Sequence, residues 1–177
     1  MDEKRLKIAE ENFRRYLRDS LIKKSNFQEL IFQTYLNNSI ESLKVAEELF
    51  KNKTSSLWVV VSSYYSMFYI DSAYIYKKGY KSSHEIVHQI INEALIVLAR
   101  HNLEKHFLEE YEEEKLKALS ASQNLLDVYE FEKLKRAEFQ YETTGEIKES
   151  KAKTSLERAK NFVAIIRQIM NKELGYK

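Results

Sequence analysis

Apolar residues along this chain recur at intervals of three and four, the period that puts them on one side of an α-helix. The clearest run comes last: Ala152, Leu156, Ala159, Val163, Ile166 and Met170 form a stripe about five turns long. Leu6, Ala9, Phe13, Leu17 and Leu21 make a first amphipathic helix over 2–23. A second over 27–52, with Asn26 as its expected cap, carries Leu30, Ile31, Tyr35, Leu43, Ala46 and Phe50. From Leu57 to Tyr76 the pattern changes, because almost every position is apolar or hydroxylic. A helix without a polar face belongs at the centre of a bundle, so 55–78 is predicted to be covered on most sides. Ser82 or Ser83 is expected to cap a helix starting near His84 and carrying Ile86, Ile90, Ile91, Ala94, Leu95 and Leu98. Glu109 to Lys117 reads as a solvated face or junction. Leu125, Leu126, Tyr129, Leu134 and Phe139 then form a fifth segment that fails near Thr143-Thr144-Gly145.

Composition strengthens this reading. Among 177 residues there are three Gly and no Pro, with 29 Lys and Arg against 27 Asp and Glu. Helix formers dominate, and the three glycines at 79, 145 and 175 fall where helix C-termini are expected. The expected fold is all-α: one up-and-down helical bundle of four core helices, spanning 1–177, with an added N-terminal helix and a broken fourth segment. A net charge of +2 argues against a generally polycationic surface. Zero cysteines exclude disulfides, thiolate metal sites and cysteine nucleophiles. The serines, tyrosines and Asp71 of the 57–76 run speak against a membrane span. The start Met-Asp-Glu-Lys-Arg-Leu-Lys lacks a signal-peptide core, so a cytoplasmic location without membrane contact is expected.

Half of the twelve tyrosines lie between 64 and 80. Tyr64-Tyr65-Ser66-Met67-Phe68, with Ala73, Gly79-Tyr80-Lys81 and Ser83-His84, resembles the central helix and following turn of the HEPN family, the nucleotide-binding domain of higher eukaryotes and prokaryotes. The segment Arg136-Ala137-Glu138-Phe139-Gln140-Tyr141 is similar to the family's Arg-x-x-Ala-Asp-Tyr, and Ala159-Lys160-Asn161-Phe162 to its last-helix Ala-x-x-Phe. Gln140 and Phe139 depart from that pattern. The resemblance covers roughly residues 35 to 172. It implies a helical binding module that contacts nucleotide or RNA through Tyr64, Tyr65, His84, Arg136 and Tyr141. It also implies a nucleotidyltransferase partner in a toxin–antitoxin-like pair, and no cofactor. Phe162, Ile165 and Ile169, beside the main stripe of the last helix, add the expectation of a homodimer.

Two motifs point to chemistry instead. RNA-cutting members of the wider family use Arg and then His with four to six residues between them, Arg for phosphate charge and His to move the proton of the 2′-hydroxyl. After Arg136 those positions hold Tyr141, Glu142 and Thr143, so the base is missing there; Arg100 and His106 fit the spacing elsewhere. They are the candidates for a metal-independent endoribonuclease. His84-Glu85-Ile86-Val87-His88 is a formal His-Glu-x-x-His, which on a helix sets two imidazoles on one face to share a zinc, with Glu85 as base and Glu109 or Glu110 as a third ligand. Ordinary core aromatics and helix-start histidines remain the plain alternative to both.

Overall fold

The computed structural model describes residues 3–83, 87–134 and 149–175. In chain order the elements are α1 (Glu3–Arg18), β1 (Ile22–Lys24), α2 (Glu29–Lys51), α3 (Ser56–Lys77), β2 (Tyr80–Ser82), α4 (Val87–Ala99), α5 (Lys105–Leu134) and α6 (Glu149–Leu174). The all-α expectation is met.

Helix α3 is central, packing against α2, α4, α5 and α6. Fifteen of its 22 residues are buried, as its lack of a polar face requires. Ser55 caps it, its Oγ accepting from the Trp58 amide at 3.3 Å. Gly79, at φ 87°, turns the chain out of the helix into β2, a conformation that suits a residue without Cβ. No helix among the described residues is long and apolar enough to cross a membrane.

The last-helix stripe is fully buried, from Ala152 to Met170. So are Phe162 and Ile169: Phe162 stacks on Tyr111 of α5, with ring centroids 5.2 Å apart and planes 13° from parallel. Two of the three residues of the second stripe are therefore covered within the chain, while Ile165 keeps part of its surface exposed.

Three expectations change. The first helix stops at Arg18, not at 23, because Ser20 turns left-handed at φ 60° and closes a Schellman motif. The Ser20 amide donates to Leu17 O at 3.3 Å and the Leu21 amide to Tyr16 O at 2.9 Å. The residues released make an unforeseen ribbon, β1 antiparallel to β2, with Ile22 opposite Ser82, Lys23 opposite Lys81 and Lys24 opposite Tyr80. Second, the charged stretch and the fifth segment form one continuous helix, α5; its stabilisers include Arg158, described below. Third, Gln28 rather than Asn26 precedes α2, and it makes no side-chain cap; the Asn26 carbonyl accepts from Tyr76 Oη at 3.0 Å. Gly145 lies outside the described residues.

The added helix α1 packs on α4 through ions as well as Ala9 and Phe13. Arg5 donates to both oxygens of Glu93, at 2.7 and 3.1 Å, and through Nε to Glu112 at 3.0 Å. Glu10 holds Arg100 just past the end of α4, at 2.5 Å.

Candidate functional site

Helical spacing puts Tyr65, Phe68 and Tyr69 on one side of α3, where they meet the first turn of α4. His88 lies there, half-buried, with its ring 4.4 Å from Phe68, 5.7 Å edge-on to Tyr65 and 5.6 Å from Tyr64. Tyr69 extends the cluster, 5.4 Å from Phe68 and 6.0 Å from Tyr65. Tyr65, Tyr69 and His88 keep part of their surface in solvent, so the cluster is an aromatic ledge and not sealed core.

Tyr64 holds the ledge from behind. Its ring is 0% exposed and its Oη lies 2.8 Å from His88 Nδ1. Burial pushes the Tyr64 phenol far up, so it stays protonated and donates; Nδ1 accepts, and neutral His88 carries its proton on Nε2. Burial also pushes the His88 pKa down, and the Lys115 ammonium adds to the same direction. Lys115 reaches this neighbourhood from α5 and is itself pushed down by burial. Glu112 and Glu93 draw its pKa back up, and Arg5 opposes them.

Below Tyr64 the polarity deepens. Asp71, two turns on along the same face of α3, is 0% exposed, and among the described residues neither carboxyl oxygen has a hydrogen-bond partner of ordinary geometry; nor does the Tyr111 hydroxyl. Burial pushes the Asp71 carboxyl well above the usual carboxylate range, while the Tyr111 phenol favours its charge. The Tyr111 ring in turn lies 6.0 Å from that of Tyr64. Polar groups thus run from the half-exposed His88 through Tyr64 toward Tyr111 and Asp71 in the core.

Of the residues singled out by sequence, Tyr64, Tyr65 and His88 come together. His84, Glu85, Arg136 and Tyr141 lie outside the described residues. Arg100 and His106 have separate partners. The Arg100 guanidinium is bound to Glu10 and donates through Nε to His101 Nε2 at 3.0 Å. His106 lies beside Glu104, Nδ1 to Oε2 3.3 Å, with its ring 3.9 Å from that of Phe107. Glu109 lies 3.5 Å from Lys105 and Glu110 3.8 Å from Arg158. Among the described residues no three His, Asp or Glu side chains gather to hold a metal ion.

Sequence reading missed Lys115, Tyr69 and Tyr111. Tyr111 left a signal, as a lone aromatic in the otherwise charged run 109–117, where one large ring marks the side of the helix that turns inward. Lys115 left none, because only the packing of α5 on α3 brings it near His88.

Compared with known proteins, the chain matches no family model and no curated protein.

Proposed function

We propose that this protein is a binding module of the HEPN type that contacts nucleotide or single-stranded RNA at the α3–α4 ledge. The observation that carries this reading is His88, pinned by Tyr64 in a partly open aromatic cluster. Tyr65 and Tyr69 offer ring faces on which a base can stack, and the His88 Nε2–H offers a donor. Arg136, Tyr141 and His84 belong to the same proposal through the resemblance alone. So does the nucleotidyltransferase partner; the cytoplasmic location and the homodimer are further parts of the proposal. Leu116 and Leu119, one turn apart on α5 and 64% and 40% exposed, are apolar positions a second copy could cover.

The geometry favours binding over cutting. A ribonuclease built on Arg100 would have to free a guanidinium already engaged by Glu10.

Titration calorimetry with 5′-AMP and with a ten-residue oligouridylate tests the reading. At least one is expected to bind, and Tyr65→Ala to weaken it by about 1–3 kcal/mol, the worth of one stacked base. Absence of binding by both probes at millimolar concentration overturns it.

A further inference from the structure

Resting on that reading, we infer that the ledge is one end of a track along α3, and that its other end, Phe27 with Lys77 and the lysines of the β1–β2 ribbon, takes a further stretch of single-stranded RNA. The ligand class is then a strand several nucleotides long, not a lone nucleotide. Tyr65, Tyr69 and Tyr76 follow one another at intervals of four and seven, so they share a side of α3. Tyr65 and Tyr69 belong to the ledge. Tyr76 Oη donates to Asn26 O at 3.0 Å and accepts from the Gln28 amide at 3.0 Å, which fixes the turn before α2 against the end of α3. That turn sets the Phe27 ring 5.9 Å from the Tyr76 ring and leaves Phe27 42% exposed. Tyr35 of α2, half-buried and 6.1 Å edge-on to Tyr76, lines the same side. From Tyr65 to Tyr76 the helix rises about 16 Å, farther than one nucleotide reaches.

Positive charge gathers at the Phe27 end. The Ser25 amide donates to Gly79 O at 2.9 Å, holding 22–28 beside 76–82. These two stretches contain Lys23, Lys24, Lys77, Lys78 and Lys81 and no Asp or Glu, in a chain whose net charge is only +2. Lys78 is bound to Glu173 at 2.7 Å. The other four meet no carboxylate at ion-pair distance among the described residues. The Lys77 ammonium lies instead over the Phe27 ring, 4.1 Å from its centroid, and a ring quadrupole holds a cation without neutralising it. Lys23 and Lys81, both exposed, stand directly opposite each other on the ribbon, where like charges repel. A phosphodiester backbone offsets that repulsion and reaches Lys77 while a base meets the exposed part of Phe27. An anionic bilayer would engage the lysines and Phe27 but not Tyr65 and Tyr69 farther along α3, so the aromatic side favours a strand of bases over lipid.

Titration calorimetry of the full chain with 5′-AMP and with oligouridylates of two and ten residues tests the track. The ten-residue strand is expected to bind at least tenfold tighter than the dinucleotide or 5′-AMP. Phe27→Leu keeps the apolar packing and removes the ring; it should weaken the ten-residue strand about tenfold, the worth of one stacked base, and leave 5′-AMP unchanged. Lys23→Gln with Lys81→Gln, at two exposed positions, should lower the dependence of log K on log salt by about 1.4, the counterion release of two single-strand phosphate contacts. If Tyr65→Ala weakens the ten-residue strand while Phe27→Leu and the lysine pair change neither affinity nor slope, the track is wrong and the ledge stands. If phosphatidylserine vesicles retain the wild-type protein, release the lysine-pair variant, and strand binding ignores that pair, the surface faces lipid and the track is wrong. If neither 5′-AMP nor either strand binds, track and ledge both fail.

Discussion

Two buried carboxylates in this bundle have opposite surroundings. Glu114 of α5 is 0% exposed and fully compensated: Ser155 donates to it at 2.5 Å, Arg158 at 2.8 Å and Lys117 at 3.0 Å. Asp71 of α3, equally buried, has no such partner. The first group joins helices. Arg158 also reaches Glu113 at 2.9 Å, so α5 and α6 are tied by a charged network as well as by the Tyr111–Phe162 stack. The second meets no cation at contact distance among the described residues, and burial disfavours its charged form. A bundle that can satisfy one carboxylate fully, yet leaves another bare beneath Tyr64 and His88, concentrates its polar cost next to the candidate site.

The largest effect should come from breaking the satisfied network. Arg158→Met leaves Glu114 buried with Lys117 and Ser155 only, and urea denaturation should show a loss of about 2–3 kcal/mol. That figure sits at the low end for a broken buried pair because Arg158 itself is partly exposed. Adding Glu114→Gln should recover most of the loss; if the double variant is as unstable as the single one, the network acts through packing and not through charge.

The bare carboxyl should respond in the opposite direction. The folded pKa of Asp71 lies above its unfolded value, so its contribution to stability is full below about pH 4 and is lost as pH rises toward the folded value. Asp71→Asn removes that loss. Its melting temperature should therefore exceed wild type by about 2 °C or more at pH 7, with the gap closing toward pH 4. A gain that is the same at both pH values would mean that Asp71 is not the titrating group.

His88 supplies the smallest effect and the third point of comparison. Its folded pKa lies below the ordinary 6.5, so its contribution is present above that value and lost as pH falls through the lower folded one. His88→Asn should flatten the change of melting temperature between pH 7 and pH 5 by on the order of 1 °C. An unchanged profile would show that the imidazole is as well hydrated in the folded chain as in the unfolded one.

How much of this was legible beforehand depends on the range of the forces involved. The stripe from Ala152 to Met170 and the all-round apolar run of α3 state their burial in their own spacing, because helical periodicity is local. The end of the first helix was hidden: Ser20 adopts left-handed φ, at 60°, and a serine does not advertise it. At the candidate site, Tyr64 and Tyr65 were visible as a cluster of phenols, and His88 as part of a motif with different chemistry.

The sequence by itself determined that the chain is helical, that α3 is the central helix, and that cysteine chemistry is excluded, since each follows from composition and period. Only the tertiary structure decided that Phe162 of α6 stacks on Tyr111 of α5 and that Ile22–Lys24 pairs with Tyr80–Ser82. It also decided which buried carboxylate meets a cation among the described residues: Glu114 does, through a residue 44 positions away, and Asp71 does not. These are long-range pairings, set by how whole helices pack, and a side chain's own neighbours in sequence carry no record of them.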